Sequence, residues 1–188
     1  MKAKNSGGRL DDILDILDTC AVAVFAFVCL FTFFFRNVTV VGESMEETLY
    51  NGDRVVARKF MYTPEQGDIV IVNSENMNEV IVKRIIGLPN DTVEIDYKEA
   101  AVYVNGQRLN EPYVREEMTE REVFAPSFKD NETGRYIYRV PFGKYFILGD
   151  NRNRSTDSRI FGFVTRDEIL GRAFFRYSSD KGDKGFID

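Results

Sequence analysis

Ser44, in VVGESMEETL (40–49), is a small hydroxyl placed directly after a β-rich run, where a nucleophile can be presented to a substrate. A serine attacks a carbonyl only when a neighbouring base takes its proton, and in most serine hydrolases that base is histidine. The chain contains no histidine, so Ser-His-Asp and Cys-His chemistry are excluded. The G-x-S-x-G elbow is also incomplete, because Glu46 stands where its last glycine belongs. Ser44 and Glu47 share the spacing of a capping box, so a turn or helix cap is the alternative reading of this serine.

Without histidine, a neutral lysine can serve as the base. Its ordinary pKa of about 10.4 must fall to roughly 7–8, which burial among apolar groups achieves at a cost of roughly 4 kcal/mol. Lys83 in EVIVKRIIG (79–87) has such surroundings, flanked by Ile81, Val82, Ile85 and Ile86. Strand alternation puts Ile81, Lys83 and Ile85 on one face and Val82, Arg84 and Ile86 on the other. The alternative is an edge-strand lysine reaching into solvent. A third stretch, ILGDNRNRSTDSRIFG (147–162), gathers Asp150, Arg152, Arg154, Asp157 and Arg159 among Ser155, Thr156 and Ser158. Such a network is either a solvated loop or a brace for a catalytic lysine.

These residues need a scaffold. A chain of 188 residues, 44% hydrophobic with 16 phenylalanines, suits one packed domain. Net charge is −5 with no basic block, which argues against a nucleic-acid partner. Cys20 and Cys29 are the only cysteines, so no disulfide or thiolate metal site can form after residue 29. No metal and no cofactor are expected.

The segment CAVAVFAFVCLFTFFF (20–35) has Thr32 as its one polar side chain. Extended back through ILDILDT (13–19), it reaches the roughly 20 residues of a membrane span. It ends in FFFRN and not in small residues, which favours a retained anchor over a cleaved signal peptide. Lys2, Lys4 and Arg9 precede the span and Arg36 follows it, placing the N-terminus in the cytoplasm and the rest outside. The expected organisation is a tail (1–12), an anchor in the lipid bilayer (13–35) and an extracytoplasmic β-rich domain (36–188).

Beyond the anchor, short runs rich in Val, Ile, Tyr and Phe recur at 37–41, 53–59, 68–73, 79–86, 92–95, 101–104, 136–140, 144–148 and 172–177. Turn signals such as NGD (51–53) and GLPND (87–91) separate them. The expected class is mostly β, a barrel or sandwich, with no βαβ alternation. TRDEIL (165–170) reads as a helix, with Thr165 as N-cap and Glu168 three residues on. The polar stretch 110–135 reads as an excursion or small subdomain, with about 97–140 set apart from the main body.

Taken together, the anchor, GESMEETL, GDRVVARK, GDIVIV, VKRIIGLPND, VNGQRLNEPY and LGDNRNRSTDSRIFG resemble, in order and over nearly the whole chain, the type I signal peptidases. These are serine–lysine endopeptidases that release exported preproteins from their signal peptides. The resemblance implies Ser44 as nucleophile and Lys83 as general base. It implies Ser155 as the hydroxyl that orients the lysine, and Arg84, Asp150, Asp157 and Arg159 as bracing ion pairs. Substrate pockets preferring Ala-x-Ala-like residues would be lined by Val40, Gly42, Met45, Leu49, Ile81 and Val82, with substrate bound as an added strand. Partners would be secretory preproteins, the bilayer and the export translocon.

Two positions depart from the family pattern: Glu47 replaces its usual proline, and Gly42 replaces a serine that donates to the oxyanion in some relatives. Loss of the proline is expected to loosen the turn, with Glu47 capping it or competing for the lysine. The oxyanion would then rely on the Ser44 backbone N–H. Rival readings are a self-cleaving repressor protease, disfavoured by the span, and a tethered β scaffold without activity.

Overall fold

The computed structural model describes residues 7–120 and 127–187. Lys2 and Lys4, used above for orientation, lie outside the described residues, as do residues 121–126 of the polar excursion.

Helix α1 (Gly7–Phe34) contains the one stretch among the described residues, Asp11–Phe34, that is long and apolar enough to cross a membrane. None of that stretch is buried inside the protein, although Phe33 and Phe34 at its end meet the Phe60 ring, which suits a lipid environment for the rest. The Thr19 and Thr32 hydroxyls donate back to the Asp15 and Val28 carbonyls, so neither needs water.

Strand β1 (Phe35–Thr39) follows α1 without a linker. The chain then forms β2 (Arg54–Arg58), β3 (Ile69–Ser74), β4 (Glu79–Gly87), β5 (Thr92–Asp96), β6 (Ala101–Val104), β7 (Gln107–Arg108) and β8 (Phe128–Lys129). After these come β9 (Tyr136–Arg139), β10 (Lys144–Leu148), the short helix α2 (Ser158–Phe161), β11 (Val164–Thr165), β12 (Ile169–Ser178) and β13 (Gly185–Phe186). Among the described residues they make two antiparallel sheets. The larger runs β1-β2-β12-β3-β4-β10-β11, with β13 beside β12, and the smaller runs β7-β6-β5-β9-β8. Every apolar run noted in the sequence becomes a strand, and the protein is mostly β.

The sheets share a core. Ile86, Phe146 and Leu148 of the larger pack with Val93, Ile95, Val102 and Tyr138 of the smaller. Burial of these aliphatic and aromatic groups supplies about 1.5–3 kcal/mol each. The smaller sheet is built by the excursion's flanks, so the polar segment has a hydrophobic root.

Strand β4 holds the centre. It pairs with β3 from Glu79 to Arg84, but with β10 only from Arg84 to Gly87. Its first half therefore has one open edge. Every residue from Ile81 to Gly87 is buried, so β4 has no solvated face and Lys83 does not reach bulk water.

TRDEIL is not a helix. The Glu168 carboxylate accepts from the Thr165 N–H and hydroxyl at 2.7 and 2.9 Å, as a capping box would, but closes a turn between β11 and β12. Its other oxygen accepts from the Glu75 N–H at 3.1 Å. The capping pattern satisfies a turn as well as a helix end, and strand pairing of Ile169 with Val72 decides the outcome. Glu168→Ala should leave three donors unsatisfied and lower stability by about 1–3 kcal/mol, read as a reduced melting temperature.

Candidate active site

Ser44 sits in a tight turn anchored from both sides. Thr48 and Leu49 donate their backbone N–H groups to the Met45 carbonyl, and Met45 and Leu49 are fully buried in a cluster with Val55, Ile71 and Val82. Ahead of the turn, Gly42 adopts a φ of +90°, a region that favours glycine, and donates its N–H to Asn51 Oδ1 at 2.9 Å. A serine at position 42 would carry that strain.

The turn brings Ser44 against the middle of β4. Lys83 Nζ lies 2.7 Å from Ser44 Oγ and donates to the Val82 carbonyl at 2.9 Å. Lys83 is only 3% exposed. Burial pulls its pKa down from 10.5 to about 8, against the opposing pull of Asp157 and Asp150. About a tenth of the amine is therefore neutral at pH 7, and a neutral amine at hydrogen-bond distance can take a hydroxyl proton.

The acids that oppose this are themselves paired. Asp150 accepts two bonds from Arg84, at 2.9 and 2.8 Å, and one from the Thr48 hydroxyl. The Arg84–Asp150 pair is buried on both sides. Asp157 caps α2 and forms a two-bond pair with Arg159, each bond 2.8 Å. Burial alone would raise the Asp157 carboxyl, but the Arg159 guanidinium and the Gly149 N–H hold it below the usual carboxylate range. Arg159 thus keeps the Asp157 carboxylate ionised, and the pairing of each acid with an arginine keeps its full charge off the lysine.

Ser155 is buried and packs against Gly149. It also hydrogen-bonds to Asp157, which joins it to the same ion-pair cluster. Glu47 points elsewhere: its carboxylate meets Arg115 and the Tyr50 hydroxyl, each at 3.2 Å, so it does not compete for the lysine.

A groove of about 660 Å³ opens beside Ser44 and Lys83. One wall is the segment from Arg36 to Met45, and the other is the open edge of β4 from Glu79 to Lys83. Val40, Gly42, Met45, Ile81 and Val82 all line it, whereas Leu49 lies beneath as part of the core. Three residues that the sequence did not single out prove central. Gly149 lies between Ser44 and Ser155, Glu111 pairs with buried Arg152, and the Tyr113 ring covers Arg84. The only hint of the last two was their place in NEPY, where the polar excursion begins.

A hydroxyl beside a partly neutral amine, at the side of a groove with a free strand edge, is an arrangement suited to hydrolysing an extended peptide. Comparison with known proteins agrees. The family profile described as signal peptidase, peptidase S26 matches residues 13–178. A signal peptidase I from Bacillus licheniformis is 35% identical over 180 residues, covering 93% of this chain and 94% of that protein. Signal peptidase I P from Bacillus subtilis subsp. natto is 39% identical over 168 residues, covering 87% and 88%. Signal peptidase IB from Staphylococcus aureus strain COL is 36% identical over 180 residues, covering 87% and 90%. A crystal structure of a signal peptidase I from Enterococcus faecalis V583 is 36% identical, covers 59% of this chain and 97% of that one, and gives a TM-score of 0.46. The chain belongs to the signal peptidase, peptidase S26 family and is a peptide hydrolase.

Proposed function

We propose that the protein is a membrane-anchored serine endopeptidase that cuts signal peptides from exported preproteins, with Ser44 as nucleophile and Lys83 as general base. The observation that carries this reading is the 2.7 Å contact between Ser44 Oγ and the buried Lys83 amine. Substrate adds as a strand along the open edge of β4, its alternate side chains facing Val40, Met45, Ile81 and Val82. The small apolar walls favour Ala-x-Ala-like residues before the cut.

Neutral Lys83 takes the Ser44 proton as Oγ bonds to the scissile carbonyl carbon. Collapse of the tetrahedral adduct breaks the C–N bond, and Lys83 returns the proton to the leaving amine. The same amine then deprotonates a water that attacks the ester, releasing the acid and restoring Ser44. The Ser44 N–H is the candidate oxyanion donor. Ser155, Arg84, Asp150, Asp157 and Arg159 hold the lysine and tune its charge. Helix α1 spans the bilayer with its N-terminus in the cytoplasm, which sets the β domain outside, where preproteins emerge from the translocon.

The test uses the full chain in detergent with a preprotein substrate. Ser44→Ala should abolish cleavage, and kcat/KM of the parent should rise with pH through an inflection near 8, because only neutral Lys83 is competent. Undiminished cleavage by Ser44→Ala, or an inflection near lysine's ordinary 10.5, would refute the assignment.

A further inference from the structure

We infer that Tyr113, acting with Glu111, is a positioning residue that holds Arg84 and the loop after β10 in register with Ser44 and Lys83. The inference rests on the serine–lysine reading above and extends the site into the polar excursion.

The Arg84 guanidinium carbon lies 3.9 Å from the centre of the Tyr113 ring. Arg84 is 3% exposed and binds Asp150 through two nitrogens, so the ring seals a cation already committed to a carboxylate. An arginine over an aromatic face is attracted by the ring's quadrupole, more so when water is excluded. The Tyr113 hydroxyl donates to Glu111 at 3.0 Å. Glu111 in turn binds Arg152, whose Nε donates to the Gly149 carbonyl at 3.1 Å. One tyrosine thereby reaches two neighbours in the chain by separate routes, Asp150 through Arg84 and Gly149 through Glu111 and Arg152.

Asp150 and the residue after it hold the turn that bears the nucleophile. The Asn151 N–H donates to the Ser44 carbonyl at 3.1 Å, and Asp150 accepts from Thr48 in the same turn. Asp150 also belongs to the charge around the lysine, and the Gly149 N–H donates to the other member, Asp157. The carboxylates acting on Lys83 are Asp150 and Asp157, and their arginine partners are Arg84 and Arg159. Removing the ring admits water to Arg84 and slackens its grip on Asp150. An Asp150 less neutralised favours the ammonium form of Lys83, so the enzyme should need a higher pH to reach the same activity. Burial and then Glu111 hold the Tyr113 phenol above its ordinary pKa, so it remains a neutral donor across that range.

The experiment compares pH profiles of kcat/KM for Tyr113→Leu and Tyr113→Phe, made in the full chain and assayed in detergent on a preprotein. Leucine fills much of the space but has no π face, whereas phenylalanine keeps the ring. Tyr113→Leu should move the rising limb up by about one pH unit and lower kcat at pH 7 about tenfold, with KM within about twofold. Tyr113→Phe should keep the parent's limb, because the ring stays on Arg84 and Glu111 keeps its own bond to Arg152. A leucine variant with the parent's limb, whatever its melting temperature, overturns the inference, and so do equal shifts in both variants. If leucine prevents folding, Tyr113→Met is the second probe, and an unshifted limb there overturns the inference equally. A Ser44→Ala control separates the two levels. Cleavage that survives it refutes the nucleophile assignment, whereas its loss together with an unmoved Tyr113→Leu limb refutes only the role of the ring.

Discussion

Lys83→Met should silence the enzyme and, at pH 7, raise its melting temperature. The activity loss follows from removing the amine that lies at hydrogen-bond distance from Ser44 Oγ. The stability gain follows from linkage. The folded protein releases the Lys83 proton near 8, while the unfolded chain keeps it to about 10.5. Between those values the unfolded state binds more protons, so stability rises with pH. Below about 8 the full penalty applies, and the gap corresponds to about 3 kcal/mol. Methionine keeps the apolar stem and removes the charge, but leaves the Val82 carbonyl without its partner at a cost of about 1 kcal/mol. The balance favours the variant by about 2 kcal/mol at pH 7, or on the order of 5 °C in melting temperature. That advantage should shrink steadily as pH is raised toward 10.5. Calorimetry from pH 7 to 10 reads it directly; a variant less stable than the parent by a constant amount would show that burial costs the lysine nothing.

Gly149→Ala should be the most damaging one-carbon addition near the site. A Cβ there would lie 2.3 Å from Ser155 Oγ and 2.4 Å from the Ser44 carbonyl oxygen. The hydroxyl can rotate, but the carbonyl is backbone and is also held by the Asn151 N–H. The turn bearing Ser44 must therefore move away from β4. Overpacking of this kind costs about 1–3 kcal/mol, and displacing a nucleophile by about 1 Å costs about a hundredfold in rate. The expected result is a fall of about a hundredfold in kcat/KM with a smaller loss in melting temperature. Adding Ser155→Ala should not rescue it, because the clash with the carbonyl remains. Activity within about twofold of the parent would mean that the turn can yield without consequence.

The strands were legible because β-branched and aromatic runs carry their own period, and the long ones stand between clear turns. Strands β7, β8, β11 and β13 were not, since two residues have no period and form only because a neighbour offers a ladder. Helix α2 escaped for the same reason: a single turn capped by Asp157 looks like any polar loop until Arg159 folds back on it. At the site, Ser44 and Lys83 could be singled out as candidates from residue type, because the absence of histidine leaves few bases and Lys83 sits among aliphatic residues, but their roles came from the family resemblance. Gly149 and Tyr113 could not. Their importance comes from what lies opposite them, a carbonyl 105 residues earlier in one case and a guanidinium from β4 in the other.

The direct junction between α1 and β1 imposes a leash. Only nine residues separate Phe34 from Ser44, ten steps along the chain, and even fully stretched these reach no more than about 35 Å. With α1 seated in a bilayer, the scissile bond of any substrate must come within that radius of the lipid surface. Preproteins engineered with progressively longer spacers between their own apolar segment and the cut should fall away in rate once the bond drifts past that limit.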